Sequence, residues 1–182
     1  FFKALWVSAL FLCVSLLMGM YWETNDDPSI AYLLSLRNND YSPFQWQLFS
    51  SILHFLFVNF PVVNWWTVNT VFAVWLSAFS VSYVVYRRYP AHYADALAGI
   101  VLVALWVTAG HCLNFTRTAA AVAIGGCLLI ADSTLTDENS PFEYGAGCVL
   151  LLYGASIRSL AALIALGFLA VIGGVWLLGD RF

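Results

Sequence analysis

The chain has 182 residues, 62 % hydrophobic, 17 % aromatic and 9 % charged, with a net charge of −3 and a mean hydropathy of +0.83. Soluble domains carry about 25 % charged residues, which excludes that class; seven Lys plus Arg without a basic cluster exclude a nucleic-acid surface. What remains is an all-α polytopic membrane protein: at about 20 apolar residues per crossing, residues 1–182 hold about five crossing helices as a single unit, and no alternating barrel pattern competes.

The first span is read at 4–22, after Lys3, whose charge places the N-terminus on the cytoplasmic side. Glu23-Thr24-Asn25-Asp26-Asp27-Pro28 then falls outside. Three of the chain's ten acidic residues stand together here, at a membrane surface where they cost solvation unless water, a cation or a substrate offsets it. Asp27-Pro28 suits an N-cap and first helical position for Ser29 to Leu36, which assigns a local job to Asp27 and none to Asp26. Ile30, Leu33 and Leu34 lie at i, i+3 and i+4, predicting a short helix with its apolar face on the membrane. A polar turn from Arg37 to Pro43 follows. The segment 44–60 is apolar but interrupted by Gln45, Gln47, His54 and Asn59 and bounded by Pro43 and Pro61; it is read as a second interfacial helix, so 27–60 stays at the outer surface.

Further spans are read at 62–86, 94–113, 117–131, 144–157 and 160–178. Trp65, Trp66, Tyr83 and Tyr86 form an aromatic belt on the first of these, and Arg87-Arg88 its positive-inside flank. Thr116 is expected to cap the helix beginning near Arg117, and the sequon Asn114-Phe115-Thr116 lies too close to the bilayer to be a good glycan acceptor. Asp132 to Glu143 is read as an acidic cytoplasmic loop. Gly125-Gly126 and Gly173-Gly174 are expected to permit close helix packing, and Asn64, Thr67 and Asn69 to hydrogen-bond to neighbouring helices. The four cysteines have no metal-ligand spacing and read as small core residues; His54 and His111 likewise stand alone. The chain starts at Phe1 without Met and stops just after a span, which fits a fragment of a longer protein as well as a short relative.

This topology collects Glu23, Asp26, Asp27, Arg37, Arg117 and Arg158 on the outer side. A carboxylate against apolar walls can act as a general base, because partial desolvation raises its pKa. Arginines can hold phosphate through paired N–H donors. Arg117 sits in the first turn of its helix, where a cation opposes the dipole and an anion is welcome. No motif fixes a metal, so the cofactor is open; the Asp26/Asp27 pair is of the type that accepts a divalent cation.

The order of span, outer loop with Asn25-Asp26-Asp27, interfacial helix, Pro-flanked segment ending in Pro61-Val62-Val63-Asn64-Trp65-Trp66, and later Arg117 resembles the front half of bacterial GT-C-type integral-membrane glycosyltransferases. The resemblance implies transfer of a sugar from or onto a polyprenyl-phosphate-linked carrier at the outer face of the bacterial cytoplasmic membrane, with a glycan or lipid acceptor. It implies Asp26 as the base and Asp27 as its catalytic neighbour or cap. Arg117 and Arg158 become lipid-phosphate contacts, with Glu23 and Arg37 on the substrate side. A non-catalytic assembly subunit is the alternative. A transporter ranks third, because the charges lie at helix ends rather than at mid-bilayer depth.

Overall fold

The computed structural model describes residues 1–22, 26–43, 45–134 and 140–179, with side chains except those of residues 26, 172 and 175–179. Among them the chain forms eight α-helices: α1 Phe2–Met18, α2 Asp26–Ser35, α3 Gln47–Asn59, α4 Trp65–Arg88, α5 Ala91–Leu105, α6 Phe115–Thr134, α7 Pro141–Ile157 and α8 Ser159–Gly179. A π-helical turn, Trp106–Gly110, continues α5, and two short parallel strands, β1 Tyr21–Trp22 and β2 Cys112–Leu113, pair with each other. The protein is therefore all-α in all but this one contact.

Three helical stretches, Trp65–Arg88, Ala91–Gly110 and Phe115–Thr134, are long and apolar enough to cross a membrane. By that measure the expected five crossings are not reached among the described residues. α1 has 17 residues, about 25 Å at 1.5 Å per residue, short of a hydrocarbon core of about 30 Å. It stops before the predicted boundary because Gly19 takes a φ of 86°, a left-handed conformation that ends a helix readily only at glycine. Beyond it, Tyr21 N–H donates to His111 O at 3.2 Å, fastening the start of the outer loop to the end of the π turn.

Several boundaries follow capping chemistry. Asn64 Oδ1 accepts from Thr67 N–H at 3.1 Å and starts α4 three residues after Pro61. The expected loop from Asp132 to Glu143 is shorter than predicted: α6 runs to Thr134, and α7 begins at Pro141 with Ser140 as N-cap and Glu143 three positions on. Ser140-Pro141-Phe142-Glu143 is a capping signature that the hydropathy reading passed over.

α6 is the centre of the bundle, packing on α4, α7 and α8. Gly126 and Gly147 bring the α6 and α7 backbones together: a Cβ on Gly126 would lie 2.6 Å from Gly147 O, and one on Gly147 would lie 2.7 Å from Gly126 O. Gly125 faces the other way, toward Ser77 and Ser80 of α4. Adjacent glycines thus serve two interfaces. The same role is not found for Gly173-Gly174, where an added Cβ would meet nothing within 4 Å. Tyr153 of α7 donates to Asn69 Oδ1 of α4 at 2.6 Å, the inter-helix bond expected of that asparagine.

The main core lies where α2 and α3 meet the bundle. Ile30, Leu34, Leu53 and Phe57 pack with Trp66, Phe115 and Ile157, all nearly or fully buried. The apolar face of α2 is therefore covered by protein, not lipid as its periodicity suggested. Each such side chain contributes about 1.5–3 kcal/mol by leaving water. His54 Nδ1 lies 2.9 Å from Leu34 O and adds a polar tie between α3 and α2.

Candidate functional site

The site is built on the N-terminus of α6. A helix begins with four backbone N–H groups that lack intrahelical partners. Here Asn114 Oδ1 accepts from Thr116 N–H at 2.8 Å and Arg117 N–H at 3.2 Å, while Asn114 O accepts from Thr118 N–H at 2.9 Å. The N-cap is thus Asn114 rather than the expected Thr116. With its side chain turned onto the helix and only 7 % exposed, Asn114 is no glycan acceptor.

The remaining donor, Phe115 N–H, goes to Asp27, at 3.1 Å to Oδ1 and 3.3 Å to Oδ2. Trp66 Nε1 donates to the same Oδ1 at 3.0 Å. Asp27 is 1 % exposed and Trp66 fully buried. This corrects two expectations. α2 starts at Asp26, so Asp27 is not the N-cap of its own helix; its carboxylate fills the N-terminus of α6 instead. The anion welcome at that helix end is supplied by the chain itself, as the dipole and the buried N–H groups require.

Arg158, where α7 breaks into α8, reaches the same place: its guanidinium lies 4.7 Å over the Phe115 ring. Asp26 is the first residue of α2, its Cα about 3.8 Å from that of Asp27. The Asp27 bond therefore holds the Asp26 backbone within roughly 10 Å of the α6 N-terminus. Arg37 does not join this group. It lies exposed in the turn after α2, about 15 Å along the chain from Asp27 by helix rise. Glu23 lies outside the described residues, as does the side chain of Asp26, on which the base and cation expectations fall.

Arg117 is exposed and stands at one end of a groove of about 690 Å³ between α4, α5 with its π turn, and α6. The groove runs along α6 past Ala120 and Ala121 to Ile124, facing Val101, Leu105 and Val107. That is about 10 Å of helix. Arg117 is the one charged residue among its described lining. The π turn shapes one wall, a feature frequent at functional sites. A charged end and an apolar body suit an amphiphile with an anionic head.

The far end of the bundle holds a second charged cluster. Arg87 pairs with Glu143, and with Asp132 at 3.5 Å; Arg88 Nε donates to Asp132, and its Nη2 to Asp132 O at 3.2 Å. Tyr83 donates to Glu143 Oε1 at 2.5 Å. Lys3 pairs with Asp95 at 2.7 Å, beside the Tyr86 ring. The predicted acidic loop thus gives two nearly buried carboxylates to paired arginines, a structural clamp on α4, α6 and α7.

Sequence reasoning missed Trp66 and Phe115 as parts of the site. Trp65 and Trp66 read alike as belt residues, yet Trp65 Nε1 donates to Phe60 O at the surface whereas Trp66 is buried on Asp27. Their different faces on α4 were the available signal. Among the described residues no group of three or more His, Cys, Asp or Glu is placed to hold a metal ion. No family model, curated protein or solved structure matches this chain.

Proposed function

We propose that the protein is a multi-pass glycosyltransferase of the bacterial cytoplasmic membrane, with about five crossing helices and α2 and α3 at the outer surface. It acts on a polyprenyl-phosphate-linked sugar. The observation that supports this reading best is the groove that ends at Arg117, next to the turn that Asp27 anchors. An isoprenoid chain lies in the apolar length and its phosphate on the guanidinium, with Arg158 adding positive potential at the same helix end. Asp26 is the general base. With the lipid as donor, the acceptor hydroxyl of a glycan or lipid attacks the anomeric carbon and gives its proton to Asp26. The bond from that carbon to the phosphate oxygen breaks, and Arg117 stabilises the departing lipid phosphate.

Two variants in reconstituted protein test this. Arg117→Gln is expected to weaken binding of a long-chain polyprenyl phosphate about tenfold, the scale of one charge-assisted bond. Asp26→Asn is expected to lower transfer from a polyprenyl-phosphate-linked hexose by about 10²–10⁴-fold while leaving that binding intact. Full transfer by Asp26→Asn removes the base assignment. The commitment of Asp27 to structure takes one of the motif's three acids out of the chemistry and favours, as second reading, a non-catalytic subunit. A parent protein that binds the lipid phosphate but transfers nothing would select it.

A further inference from the structure

We infer that Asp27 is a positioning residue, a built-in anion whose charge sets how tightly the outer end of the bundle holds an anionic head group. It completes the set of donors at the α6 N-terminus. Phe115 N–H goes to Asp27, Thr116 and Arg117 N–H to Asn114 Oδ1, and Thr118 N–H to Asn114 O. An arriving phosphate therefore meets no open backbone donor on this turn and is held by side chains alone, through Arg117. The buried carboxylate also offsets the positive helix end and the neighbouring Arg158. The consequence is a moderated affinity. A site that captured phosphate with four backbone N–H groups as well as two arginines would release a lipid product slowly; the internal anion keeps the lipid exchangeable. The affinity part rests on the groove reading, whereas the internal-anion part stands on the hydrogen bonds themselves.

Asp27→Asn keeps an oxygen for Trp66 Nε1 and Phe115 N–H but removes the charge. Its expected effect is binding of a long-chain polyprenyl phosphate in neutral-lipid nanodiscs tightened roughly two- to fivefold, the range of a helix-end charge effect, with the gain shrinking at high salt. Equal or weaker binding by a folded Asp27→Asn protein overturns the inference. Asp27→Gly supplies a measurement that needs no lipid. It vacates the carboxylate position, so formate is expected to raise its thermal unfolding temperature while leaving the parent unchanged. A formate effect that is the same in both proteins, or absent in both, overturns the internal anion. If the parent fails to bind the lipid phosphate above a neutral polyprenol, the groove reading fails by itself, and formate rescue then decides for or against Asp27.

Discussion

At the scale of single residues, the outer end of the bundle turns on the difference between two neighbouring tryptophans. Trp66 gives its indole N–H to a carboxylate that is 1 % exposed, and removing one partner of a buried charged hydrogen bond exposes the other to its desolvation cost. Trp65 donates to a carbonyl at the surface, where water replaces it. Trp66→Phe is therefore expected to destabilise the protein by about 1–3 kcal/mol and Trp65→Phe by less than about 1 kcal/mol. Denaturant titration in mild detergent reads the difference. Equal losses would mean that the Asp27 bond adds nothing beyond aromatic packing. Asp27 shows the same lesson: it follows an identical residue at the start of α2, yet its carboxylate is fixed on a helix 88 residues away.

Among the elements, α6 and α7 meet most closely, and glycine is what permits it. Without a hydrophobic driving force between helices in lipid, close backbone approach supplies the van der Waals contact that holds a bundle together. A methyl group on Gly126 must sit 2.6 Å from Gly147 O and 2.8 Å from Leu151 N, both backbone atoms that cannot rotate away. Gly126→Ala is expected to cost about 1–3 kcal/mol, the range for an overpacked core, despite the better helix propensity of alanine. Gly173→Ala on α8 has open space and is expected to be neutral or slightly stabilising. Thermal unfolding of the two variants in the same detergent checks this, and a Gly126→Ala protein as stable as the parent would refute close packing at that point.

On the scale of the whole bundle, the paired and clustered charges among the described residues are sorted to its two ends. Lys3, Arg87, Arg88, Asp95, Asp132 and Glu143 pair at one, while Asp27, Arg117 and Arg158 gather at the other. Between them run stretches long and apolar enough to cross a membrane. α3, at 13 residues, spans about 20 Å and is too short to cross a core of about 30 Å alone. The chain before and after it is therefore expected to emerge on one side. In a cysteine-free background, single cysteines at Arg37 and Val62, both exposed, are expected to react with a membrane-impermeant maleimide added from the same side. Labelling from opposite sides would show that α3 crosses and would reverse the orientation of α1 relative to α4.

What the sequence determined by itself is what depends on local chemistry and on solvent. Composition dictated helices apolar enough to cross a membrane, because a chain with 9 % charged residues cannot cover itself with polar surface. Apolar runs placed the long helices, and Pro43 and Pro61 bounded the segment that holds α3, since proline lacks the donor a helix interior needs. Tertiary structure alone decided which polar group meets which. Asp27 reads locally as a cap for α2 because Asp-Pro has that geometry, yet it is taken by Phe115 N–H and by an indole 39 residues on. Ile30 and Leu34 read as a lipid-facing stripe because periodicity reports an apolar face and not what covers it. Asp132 and Glu143 read as a solvated loop because their arginine partners lie on another helix. A buried hydrogen bond or ion pair is chosen by the three-dimensional need to satisfy a desolvated group, and that need leaves no periodic trace along the chain.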